Sequence, residues 1–132
     1  MYEKTTHGIL VRVVPEYLTE ESDLARGVHF WAYHITIENH GRRSVCLRRR
    51  HWRIVDEHGH SRTVDGEGVV GECPVLDPGV RFNYTSSVSL PTPSGEMSGA
   101  YSMTVEEDNG ESLRVDIPLF LLESPHTSRT IH

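Results

Sequence analysis

Residues that reverse a chain recur at short intervals along the whole of this sequence, and no convincing amphipathic helix lies between them. Asn39-His40-Gly41-Arg42, Glu57-His58-Gly59-His60, the run from Gly66 to Gly71, Asp77-Pro78-Gly79, Pro91-Thr92-Pro93-Ser94-Gly95 and Asp108-Asn109-Gly110 each place glycine, proline or asparagine where turns need them. The segments between them alternate apolar and polar residues with a period of two, the pattern of strands that bury one face.

From Ile9 to Tyr17, Ile9, Val11 and Val13 oppose Leu10, Arg12 and Val14. Pro15 predicts that this is an edge strand, because proline has no N–H to give to a ladder. The polar stretch after Leu18 reads as a loop. From Val28 to Asn39, Trp31, Tyr33, Ile35 and Ile37 share one face, and Asn39-His40-Gly41-Arg42 is expected to turn the chain straight back into an antiparallel strand from Ser44 to Asp56. In that strand the apolar phase moves from Val45 and Leu47 to Trp52 and Ile54, a change of parity. One extra residue between Arg48 and His51, a β-bulge, would account for it. Phe82, Tyr84, Ser86 and Val88 share a face of a later strand, and the last two strands form a hairpin around Asn109-Gly110. Seven or eight short strands of this kind predict an all-β fold: an immunoglobulin- or fibronectin type III-like sandwich of two antiparallel sheets. A closed barrel is the alternative.

With 132 residues, 36% hydrophobic and 24% charged, the chain suits one globular domain, residues 1–132. Its core is expected over about 9–122, with a flexible C-terminal tail from about 125. No apolar stretch approaches the roughly 18 residues of a membrane-spanning helix, and residues 1–7 lack the basic-then-apolar pattern of a signal peptide. A cytoplasmic location without direct membrane insertion follows as the expectation, with Cys46 and Cys73 as reduced thiols. The net charge of −6 opposes attraction to nucleic acid. Lys4 is the single lysine; the other cations are arginines, suited to fixed carboxylate pairs.

The spacing Gly66-x-Gly68-x-x-Gly71 matches a dinucleotide-binding fingerprint, whose chemistry needs a helix N-terminus to hold the pyrophosphate. Val69-Val70 favours extended backbone and Pro74 stops any helix, so the run reads as a strand connection. Gly66, Gly68 and Gly71 stay candidates only for a phosphate held by backbone amides without a helix. His58 and His60 could face one metal with His51 nearby, but no cysteine or established third ligand accompanies them, so they read as solvated loop histidines and no metal site or cofactor is assigned. Arg48-Arg49-Arg50 is read as a source of intramolecular ion pairs, with Arg50 and Trp52 on one nominal face as the candidate partner-binding pair; core packing is the other reading of Trp52. No Gly-x-Ser-x-Gly elbow or base-orienting carboxylate pattern is present, and Glu106-Glu107-Asp108 reads as a solvated face, so no catalytic residue is assigned.

Gly66-Glu67-Gly68-Val69-Val70-Gly71-Glu72-Cys73-Pro74, with Pro78-Gly79 and Phe82-Asn83-Tyr84-Thr85-Ser86, resembles the bacterial ApaG family. Trp31-Ala32-Tyr33-His34-Ile35-Thr36-Ile37-Glu38-Asn39, Arg50-His51-Trp52, Thr92-Pro93-Ser94-Gly95-Glu96-Met97-Ser98-Gly99-Ala100-Tyr101 and Asp116-Ile117-Pro118-Leu119-Phe120 fall in that family's order. The resemblance implies a fibronectin-type sandwich in a cytosolic bacterial protein with no defined catalytic residues. It further implies links to cobalt tolerance and magnesium efflux, gene proximity to a diadenosine tetraphosphatase, and protein recognition by related domains of F-box and polymerase-interacting proteins. The expected function is therefore a non-enzymatic accessory domain that binds an unidentified protein partner. A sensor for a nucleotide, pyrophosphate or divalent metal is the alternative, and homodimerisation through strand edges is left unassigned.

Overall fold

A computed structural model describes residues 1–107 and 109–125; the expected flexible tail falls almost wholly outside the described residues. Nine strands follow in order: β1 Tyr2–Thr6, β2 Ile9–Tyr17, β3 His29–Asn39, β4 Val45–Asp56, β5 Ser61–Glu67, β6 Val75–Leu76, β7 Arg81–Leu90, β8 Ser94–Val105 and β9 Ser112–Glu123. One sheet has the order β1-β2-β3-β7 and the other β5-β4-β8-β9, with all pairs antiparallel. β6 adds two residues to β4 on the edge it shares with β5. This is a fibronectin type III-like sandwich and not a closed barrel.

The alternating rows meet between the sheets. Val11, Val13, Trp31, Ile35 and Ile37 from the first pack against Leu47, Met97, Tyr101, Met103, Val115 and Phe120 from the second, all 1% exposed or less. Burying each Val, Leu or Ile side chain in this way stabilises the fold by about 1.5–3 kcal/mol.

The anticipated bulge is present. Leu47 pairs with Met103 and Arg49 with Ser102, which leaves Arg48 as the extra residue and brings Trp52 and Ile54 back to the inner face. β9 repeats the device. Its register slips where Met97 faces Phe120 and Gly99 faces Ile117, so Pro118 and Leu119 oppose one residue, and the buried row passes from Ile117 to Phe120. Pro118, which has no N–H to donate, fits such an interruption.

Three expectations are corrected. Asn39-His40-Gly41-Arg42 does not close a hairpin, since β3 and β4 lie in different sheets. Asn39 is 1% exposed. It ties the crossover together: its Nδ2 donates to the carbonyls of Arg43 (2.8 Å) and Leu76 (2.9 Å), and its Oδ1 accepts the Gly41 N–H at 2.8 Å. Second, β2 is no edge over its first half, because β1 covers Ile9–Val13. Pro15 stands just past that cover, where one side of β2 has no strand neighbour. Third, a strand precedes the one expected from Ile9: β1 starts at Tyr2, where the exposed, polar Glu3-Lys4-Thr5 gives no apolar alternation to mark it, while the buried core itself runs from Ile9 to Leu122.

The two sides of the sandwich differ. Between β1 and β9 the sheets are joined, with the Asp116 N–H donating to Thr6 Oγ1 at 3.2 Å, Lys4 Nζ 3.4 Å from Asp116, and the Tyr2 ring 6.1 Å from that of Phe120. Between β7 and β5, Arg62 Nη2 donates to the Ser89 carbonyl at 2.9 Å.

Candidate functional site

The side between β7 and β5 opens into two cavities of about 340 Å³ and about 170 Å³ that share Tyr33, Arg50, Trp52 and Ser86 in their walls. The glycine run forms one rim. Gly68 donates its N–H to the Arg48 carbonyl at 2.8 Å, so the bulge residue anchors the run. Val69 and Glu72 then exchange both backbone hydrogen bonds around a two-residue turn in which Val70 (φ 43°) and Gly71 (φ 80°) are both left-handed. Positive φ at both central positions belongs to the tight hairpin turns that glycine and asparagine prefer, and a β-branched valine there is strained. Val70 is 54% exposed, so no burial of its side chain offsets that strain.

Arg50 ties the run to β4. Its Nη1 donates to the carbonyls of Glu67 (2.9 Å) and Gly68 (3.0 Å), and its guanidinium lies against Gly66, where an added Cβ would come within 2.8 Å. Gly68 is more tightly confined, since a Cβ there would approach the Glu72 carbonyl to 2.1 Å. Gly66 and Gly68 therefore serve close backbone and guanidinium approach. The expected role of the arginine triplet in ion pairs is not what forms: among the described residues none of Arg48, Arg49 and Arg50 has a carboxylate partner. Arg48 Nε instead donates to Thr104 Oγ1 at 3.0 Å.

Phenols line the inner wall. Tyr84 and Tyr101 share a hydroxyl–hydroxyl bond, and Ser86 stands opposite Tyr33 in the β3–β7 pair. Burial pushes all three phenols above the ordinary tyrosine range, against the opposing pull of Arg50. They remain neutral hydroxyls at physiological pH. Trp52 is 4% exposed, with its ring 5.2 Å from Tyr33 and 6.0 Å from Phe120. It forms the apolar floor of the cleft and does not protrude as an anchor.

The sequence candidates Gly66, Gly68, Gly71, Arg50 and Trp52 thus converge on one place, although nothing in their spacing joins the glycines to the arginine. Tyr33, Tyr84, Ser86 and Arg62 were not anticipated there. A readable signal existed in Ser86, a hydroxyl in an otherwise apolar inward row, which needs a polar partner.

On the outer face of the second sheet, His51 Nδ1 lies 2.6 Å from Asp65 and Nε2 lies 2.8 Å from Ser102 Oγ. These are the spacings of a Ser-His-Asp triad, assembled from β8, β4 and β5, and sequence spacing gave no hint of them. A hydrolase also needs donors for the oxyanion. Ser102 sits within β8, which is paired with β4 on one side and β9 on the other, so ladder bonding takes up the neighbouring backbone groups. The three residues read as a cross-strand polar ladder. His58 and His60 lie with ring centroids 6.4 Å apart, and no group of three metal-ligating side chains occurs among the described residues.

A family profile described as the ApaG domain matches residues 19–105. Over all 132 residues, and over the full length of each relative, the chain is 51% identical to Protein ApaG of Azorhizobium caulinodans and 48% identical to that of Parvibaculum lavamentivorans. Among solved structures, the putative ApaA protein from Bordetella pertussis superposes with a TM-score of 0.84 at 40% identity, covering 96% of this chain and 98% of that one.

Proposed function

The chain belongs to the ApaG domain family, and from that premise we propose that it is a non-enzymatic recognition module that acts in the cytoplasm by binding a protein partner. The observation that carries this reading is the asymmetry of the sandwich: one side is bridged by contacts between β1 and β9, next to a cavity of about 490 Å³ lined by Lys4, His51, Asp65, Arg114 and Asp116, while the other combines an open cleft between the sheets with the free edge of β7, a ten-residue strand. Strand edges and adjoining grooves are what β-sandwiches offer to extended partners. The family link to cobalt tolerance and magnesium efflux then acts through the partner, with this domain making no direct contact with the cation.

Affinity capture from the native cytoplasm is expected to return one protein in stoichiometric amount, and deleting either gene is expected to change cobalt sensitivity in the same direction. Purification of the chain alone, with stoichiometric metal retained, would count against the proposal. A second reading, a sensor of pyrophosphate groups, is favoured by one feature, the left-handed turn at Val70 and Gly71 beside Arg50. It predicts a rise in melting temperature with ATP or diadenosine tetraphosphate, because a ligand bound only by the folded state stabilises it.

A further inference from the structure

Building on the protein-recognition reading above, we propose that the open side takes an extended acidic segment, which adds as a strand to β7 and places a carboxylate against Arg50 and Arg62. The charge distribution points to an anion. The chain carries a net charge of −6, yet neither cavity of the cleft is lined by Asp or Glu, and both are lined by Arg50. Arg62 stands in the wall of the larger one. Among the described residues only Nη1 of Arg50 is bonded, to two backbone carbonyls that fix the guanidinium without neutralising it. Its Nε and Nη2 remain as a planar fork, the geometry that grips a carboxylate with two parallel bonds.

The edge of β7 points to an extended chain as the bearer of that anion. The Phe30 carbonyl accepts the Leu18 N–H on the β2 side of β3, so the opposing residue, Ser89, turns its own N–H and C=O away from β3. The register runs unbroken, and Ser87, Thr85 and Asn83 share this orientation; the Ser89 carbonyl already accepts Arg62 Nη2, a bond that an incoming strand displaces, so Ser87, Thr85 and Asn83 supply the open edge. From Phe82 to Leu90 the strand contains neither a charged residue nor a proline, the devices by which edges are ordinarily protected. The facing edge, β5, carries Arg62, Asp65 and Glu67. A strand added to β7 turns every second side chain into the cleft, toward the arginines. A compact phosphate would use the arginines but would leave the edge unused.

A displayed library of randomised ten-residue peptides, selected against the folded protein, tests this. Enrichment of Asp or Glu at alternate positions is expected. The best peptide should lose at least tenfold in affinity against Arg62→Gln, whose side chain stands at the exposed mouth, and should bind Arg50→Gln weakly or not at all. No enrichment, enrichment without acidic residues, or an affinity for either variant equal to that for the unsubstituted protein overturns the proposal. ATP shifting the amide resonances of Ser86 to Ser89 where no peptide does also overturns it and assigns the cleft to nucleotides. A captured whole protein that binds against β1 and β9, with no selected peptide in the cleft, would leave partner recognition standing and remove the cleft from it.

Discussion

At the level of single residues, Gly66 and Gly68 look alike in sequence and do different work. A methyl group at Gly68 (φ 58°) meets a backbone carbonyl that cannot retreat without opening the Val69–Glu72 turn. At Gly66 it meets the end of the Arg50 side chain, which can swing away. Gly68→Ala is therefore expected to cost about 2 kcal/mol or more in urea denaturation. Gly66→Ala should cost less than about 1 kcal/mol while displacing the Arg50 guanidinium from the cleft wall. The tyrosines add an alkaline limit. Their folded-state pKa values lie above the unfolded value, so the stability they contribute is complete below about pH 10 and is lost as pH rises through the folded values.

At the level of elements, the bulge at Arg48 decides the identity of the inner face. Deleting Arg48 would put Trp52 and Ile54 outside and Arg53 inside, because a slip of one residue reverses every side chain of a strand. The variant is expected to lose cooperative unfolding by circular dichroism, whereas Arg48→Ala, which keeps the residue count, should unfold cooperatively. In the β4–β5 hairpin, Asp56 Oδ1 accepts the N–H groups of His58 (2.8 Å) and His60 (3.0 Å). Burial raises its pKa, but those two bonds and the nearby imidazoles outweigh burial and hold the carboxyl below its ordinary range. A depressed carboxylate stabilises the fold above the unfolded value and ceases to do so as pH falls through the folded one, so stability should decline below about pH 4. Asp56→Asn is expected to flatten that decline in urea titrations between pH 3 and pH 7.

For the whole molecule, strands, inner rows and the first bulge were legible because period-two alternation and its change of phase are written locally. The destination of each turn was not. Asn39-His40-Gly41-Arg42 has hairpin chemistry, yet Asn39 bonds to Leu76, 37 residues away, and the chain crosses to the other sheet. The cleft was legible only in parts. Arg50 and the glycines could be named, but their meeting depends on the β4–β5 register, which sets Arg50 opposite Gly66. Tyr33, Tyr84 and Ser86 come from two strands of the opposite sheet. The result is a sandwich whose sheets are joined by β1 and β9 and open between β7 and β5, with Arg50, which has no carboxylate partner among the described residues, inside the opening.

Amide hydrogen exchange along β7, measured with and without the selected acidic peptide, tests the role of that opening most directly. The N–H groups of Asn83, Thr85, Ser87 and Ser89 are expected to exchange rapidly in the free protein and at least tenfold more slowly when the peptide is bound. Unchanged exchange at these four amides, with protection arising elsewhere on the surface, would contradict the account.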